Sequence, residues 1–69
     1  MSDQVYKHIK LTGTSAKSIE NAVDSALQRA AKTVNDMRWF EVVETRGQIK
    51  DGRASQWQVT IRVGFALED

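Results

Sequence analysis

Between Ala54 and Leu67 the chain has its cleanest alternation: Trp57, Val59, Ile61, Val63, Phe65 and Leu67 fall on one side, Gln56, Gln58, Thr60, Arg62 and Gly64 on the other. Successive side chains of a strand point to opposite faces, so this period of two predicts a long strand with one apolar and one polar face. Such a strand needs neighbours to pair with and a layer to cover its apolar side. The rest of the chain must supply both.

Immediately upstream stands Asp51-Gly52, the pair that suits a type I′ hairpin turn, where both central residues take positive φ. The run from Phe40 to Lys50 is then the partner strand. Its alternation falters at Val42-Val43 and at Arg46-Gly47, where a glycine within a strand predicts a bulge. Another strand opens the chain, with Val5, Lys7, Ile9 and Leu11 alternating against Tyr6, His8, Lys10 and Thr12; Lys7 is the one exception on the apolar side.

Gly13-Thr14-Ser15 breaks that run, and Ser15 is placed to cap a helix beginning at Ala16. Ile19, Ala22, Val23, Ala26, Leu27, Ala30, Ala31 and Val34 follow at steps of three and four. They predict one long amphipathic helix, about 30 Å at 1.5 Å per residue. Its small alanines allow close approach to a sheet, and Asn35-Asp36 close it. The fold expected is α+β, a single β-α-β-β domain over residues 1–69, with one helix laid on a three-stranded sheet antiparallel at least through the hairpin.

This fold does not finish its own core. A chain of 69 residues hides only about 60% of the surface it exposes when unfolded. No cysteine is present for a disulfide, and a lone histidine argues against structural zinc. The hairpin strands, roughly 40 Å long at ~3.3 Å per residue, outreach the helix, and a three-stranded sheet keeps two open edges. Self-association with closed symmetry is the remaining means of stabilisation.

Ten basic and nine acidic residues, mixed along the chain, give a net charge of +1, which does not favour nucleic acid as a partner. No membrane-span run and no basic leader precede the first strand, so a cytoplasmic protein without a membrane partner is expected. No nucleophile motif or phosphate-cradling glycine loop occurs. His8 lies on the polar side of its strand, where a histidine serves as an interface hydrogen-bonder. Glu41 and Glu44, three apart on a strand, are expected on opposite faces and so do not form an acid/base pair. The sequence carries no catalytic constellation.

Two features keep alternatives open. The polar face of Tyr6, His8, Lys10, Gln58, Thr60 and Arg62 is either solvated or, in an assembly, a hydrogen-bonding wall around a ligand. Trp39 is either core or a stacking platform for a flat ring at an interface between copies.

Gly13-Thr14-Ser15, the helical Ala26-Leu27-Gln28-Arg29-Ala30-Ala31-Lys32-Thr33-Val34, Trp39-Phe40-Glu41-Val42, Arg46-Gly47, Gln58-Val59 and Val63-Gly64-Phe65-Ala66-Leu67-Glu68 stand in an order and spacing that resembles the dodecins across essentially the whole chain. The resemblance implies a β-α-β-β subunit whose sheet wraps one long helix, twelve copies forming a hollow homododecamer. It implies non-enzymatic binding of FMN, riboflavin or FAD, with flavin pairs stacked between tryptophans at two-fold axes. Storage and protection from photochemistry follow as the role. Trp39 matches the stacking tryptophan, Gln58 the glutamine at the ring's polar edge, and Arg46 a basic position near the flavin. Coenzyme A is a possible further ligand near the three-fold axes, with Arg29 and Thr33 as candidates by position. Ala66 stands where many relatives carry a basic residue, and Trp57 where a tyrosine is common; parity assigns Trp57 to packing. Two rivals remain, a shell subunit without flavin and a flavin-dependent redox protein; the colour of the purified protein and turnover of reduced nicotinamide separate them.

Overall fold

In the computed structural model, which describes residues 3–67, four elements follow in order: β1 (Tyr6–Ser15), α1 (Ile19–Ala30), β2 (Met37–Lys50) and β3 (Arg53–Ala66). Glu68, the last residue of the family-like run, lies outside the described residues. The alternating strand takes the centre of the sheet, in the order β1-β3-β2, and both pairings are antiparallel. Asp51 (φ 55°) and Gly52 (φ 76°) form the expected turn.

Odd-numbered residues of β1 and β3 face the helix, as the alternation predicts. Gly13 pairs with Val59, Leu11 with Ile61 and Ile9 with Val63. Val59, Ile61 and Val63 are fully buried against Ala22, Val23 and Ala26, and Ile9, Leu11, Leu27 and Met37 pack around them. The alanines bring the helix close. A Cβ built on Gly13 would overlap the Ala22 carbonyl oxygen, so β1 passes directly against the helix backbone.

The helix is shorter than its apolar stripe implied. It begins at Ile19 rather than Ala16, and the N-cap is Ser18, whose Oγ accepts from the Asn21 amide at 3.0 Å. Ser15 instead ends β1, buried, and organises the turn. Its Oγ accepts from the Lys17 amide at 2.9 Å and the Ser18 amide at 3.3 Å, and donates to Asn21 Oδ1 at 2.7 Å. At the far end Lys32 and Thr33 donate to Arg29 and Ala30, three residues back, so the stripe runs on to Val34 while the α-helix stops at Ala30. Asp36, at φ 62°, turns the chain into β2, and its carbonyl accepts from the Ala66 amide at 3.0 Å.

A helix of 12 residues spans about 18 Å, whereas β3 with 14 runs to about 46 Å. α1 therefore packs on β1 and β3 and, beyond Met37, leaves most of β2 uncovered. Phe40 and Val42 pair with Val63 and Ile61, on the helix side, yet are 48% and 46% exposed. Ile49, near the hairpin turn, is 79% exposed. The radius of gyration, 14.4 Å, exceeds the about 11 Å of a compact chain of this length. The single chain leaves part of its own apolar surface in water.

β2 also departs from the expected register. Shifts occur at Met37/Trp39, Val42/Glu44 and Gln48/Ile49. The irregularity at Val42-Val43 is therefore real, while the bulge expected at Arg46-Gly47 is absent: both residues pair in register, with Gln58 and Trp57. Gly47 is needed there for clearance, since a Cβ would stand 2.9 Å from the Gln56 carbonyl oxygen.

Candidate functional site

The sheet face turned away from the helix carries the candidate site. In an unbroken strand Met37 and Trp39, two residues apart, would share a face. The register shift between them pairs Met37 with Phe65 on the helix side but Trp39 with Gly64 on the outer side. Trp39 thus lies within β2, which begins at Met37 rather than at the expected Phe40. Its indole fills the space over Gly64, where a Cβ would overlap Cε2 and Cζ2. The Tyr6 ring meets the indole edge-on, with centroids 6.1 Å apart and planes at 70°. His8 pairs with Gly64 from the other side. Trp39 remains 39% exposed, braced below and at one edge and open above.

The second shift, at Val42/Glu44, brings Glu41 and Glu44 onto this same face, opposite Arg62 and Thr60. The expectation that they point apart is corrected: the extra residue at the bulge resets the alternation. They still do not pair with each other. Glu41 Oε1 lies 2.8 Å from Arg62 Nη1 and Glu44 Oε1 3.5 Å from Arg46 Nη1. Both bridges are exposed and add little stability.

Arg46 and Gln58, both sequence-predicted, are brought together directly: Arg46 Nε donates to Gln58 Oε1 at 3.0 Å. Trp39 is not brought to them. From Gly64, under the indole, to Gln58 along the same strand is roughly 20 Å at ~3.3 Å per residue, well beyond the length of a three-ring isoalloxazine. No single protomer places Trp39 and Gln58 on one such ring.

Arg29 and Thr33 are brought together elsewhere. They line a cavity of about 430 Å³ between the C-terminal half of α1 and the edge strand β1, with Thr12, Thr14 and Ser25 as further polar lining and Leu11 and Ala30 as apolar walls. Arg29 lies in the last turn of the helix.

Sequence reasoning passed over Gln56. It accepts from Gln58 Nε2 at 3.2 Å and continues the row that Arg46 begins. The Gln56-x-Gln58 repeat on the polar side of β3 was the available signal. Among the described residues no three His, Asp or Glu side chains stand together as a metal site, and no helix is long and apolar enough to cross a membrane.

A family model described as Dodecin matches residues 5–68. The dodecin of Thermus thermophilus is 46% identical over 66 residues, covering 96% of each chain. The structure of dodecin from Streptomyces coelicolor superposes with a TM-score of 0.92 at 42% identity, over 100% of this chain and 99% of that one. Calcium dodecin from Mycobacterium tuberculosis is 33% identical over 63 residues, covering 91% of this chain and 89% of the relative. Its structure, described as having a novel calcium-binding site, superposes with a TM-score of 0.80 over 93% of this chain and 91% of that one.

Proposed function

The chain belongs to the dodecin family, and from that premise we propose that it is a non-enzymatic flavin-binding protein. It assembles as a homododecamer, sequesters FMN or riboflavin in the cytoplasm and suppresses the flavin's photochemistry.

One observation carries this reading: the Trp39 indole rests on Gly64 with its other side open, while Gln58 lies too far along β3 to reach the same ring. A flat ligand seated on Trp39 of one subunit therefore takes its polar contacts from another. The uncovered Phe40, Val42 and Ile49 supply apolar surface for a second copy to bury, at roughly 25 cal/mol per Å².

The residues suit a flavin. An indole offers a broad π-face for stacking. The Gln58 amide both donates and accepts, as the ring's pyrimidine edge requires, and Arg46 adds a cation that favours phosphate or a ring anion. Stacking against an indole lets an electron pass to the excited flavin and return, so light energy is dissipated before reaction. Two flavins stacked face to face between two such indoles would leave no room for a substrate.

The cavity beside Arg29 and Thr33 favours a second ligand. Its arginine, hydroxyls and apolar wall fit a phosphorylated, partly apolar molecule such as coenzyme A.

Titration of riboflavin with the purified protein tests the main reading. Flavin fluorescence should be strongly quenched at saturation, and Trp39→Ala should abolish most of the effect. A flavin that stays bright at saturating protein rules the reading out.

A further inference from the structure

Arg46, Gln58 and Gln56 form a chain of hydrogen bonds that runs in one direction only. A guanidinium donates and never accepts, so the Gln58 atom facing Arg46 Nε at 3.0 Å must be its carbonyl oxygen. The amide nitrogen of Gln58 then points away and donates to Gln56 Oε1 at 3.2 Å. Gln56 must therefore present oxygen as well. Glu44, 3.5 Å from Arg46 Nη1, holds the head of the chain. All four residues lie on the outer face, across two paired strands.

We propose that Gln56 is a positioning residue for ligand recognition: by accepting from Gln58 Nε2 it holds the Gln58 amide in one plane with one polarity. This deepens the flavin reading above and rests on it. With Arg46 alone, the amide is fixed at its oxygen and free to swing at its nitrogen. With Gln56 it is fixed at both ends. Gln58 then keeps one lone pair on Oε1 and one N–H on Nε2, side by side. That pair complements a ring edge on which an N–H adjoins a carbonyl. The ligand class selected is planar rings with an unsubstituted imide, and N3-alkylation of the ring removes the donor that Oε1 accepts.

Residue 56 is thus required as an acceptor, which a carboxylate also satisfies and an ammonium does not. The test compares wild type with Gln56→Glu, Gln56→Ala and Gln56→Lys, titrating riboflavin and N3-methylriboflavin by flavin fluorescence. Neither probe carries a phosphate, so the charge changes do not act through one, and size-exclusion chromatography verifies assembly. For riboflavin, Gln56→Glu should stay within about twofold of wild type. Gln56→Ala should lose about fivefold, the worth of one neutral hydrogen bond, and Gln56→Lys more than about tenfold, because its donor draws the Gln58 oxygen from Arg46. For N3-methylriboflavin all four proteins should bind alike. Equal loss in Gln56→Glu and Gln56→Lys, or the same dependence on residue 56 for both probes, overturns the proposal. Tight riboflavin binding that ignores residue 56 overturns it alone, whereas a wild type that does not bind riboflavin overturns the flavin reading and this proposal together.

Discussion

The Trp39 indole occupies the space over Gly64 that any side chain at that position would fill. The two residues meet because the register shift at Met37/Trp39 turns the indole to the outer face. Gly64→Ala should leave the fold intact, since the indole can swing outward into solvent, but it should tilt the stacking surface. Riboflavin affinity should fall roughly tenfold, at the upper end of what aromatic stacking contributes, with the far-ultraviolet circular dichroism unchanged.

Gly13 makes the corresponding contact on the helix side, but against backbone. A Cβ there meets the Ala22 carbonyl oxygen, and neither strand nor helix can yield without moving. Gly13→Ala should destabilise the protein by about 1–3 kcal/mol through overpacking, measurable by denaturant unfolding and larger than the effect of Gly64→Ala.

The two serines at the start of the helix should rank by what each satisfies. Ser18 caps one amide, and Ser18→Ala should cost about 1 kcal/mol. Ser15 is buried and serves two amides and the Asn21 side chain. Ser15→Ala should therefore cost more, because it leaves two part-buried amide donors and the Asn21 side chain without a partner. Unfolding curves of the two variants give the order directly.

That ranking also shows where the sequence was legible. Alternation located the strands and the core residues Val59, Ile61 and Val63, because burial on one face enforces period two, and Asp51-Gly52 marked the hairpin turn. Helix ends were less legible: Ser15 and Ser18 are both good caps, and the choice depends on how close Gly13 lets β1 come to Ala22. The face of Trp39 was not legible, since the bulge before it is decided by pairing with β3 and reverses parity without a marker residue; that of Glu44 was signalled only by the falter at Val42-Val43, which marks an irregularity but not how parity resets after it. Gln58 meets Arg46 only because the register shifts at Gln48/Ile49; continued from the Lys50–Arg53 and Ile49–Ala54 pairs, the hairpin would set Arg46 against Trp57, and nothing in the sequence marks that shift. The separation of Trp39 from Gln58 is a matter of strand length, and under the proposed flavin reading it calls for two subunits.

Arg29 is independent of that face. Arg29→Ala should weaken coenzyme A binding by about tenfold or more, the loss of a charged hydrogen-bond donor, and leave riboflavin quenching unchanged. Isothermal titration calorimetry with each ligand separates the two effects.

On the proposed reading, one flavin site draws Trp39 and Gln58 from different subunits. Trp39→Ala and Gln58→Ala chains, each weak in riboflavin quenching alone, are denatured together, refolded as mixed assemblies and titrated with riboflavin. A composite site predicts that the mixture regains a fraction of sites with wild-type affinity, because some pairs join an intact Trp39 to an intact Gln58. A mixture that quenches only as the average of its two parents would contradict the account.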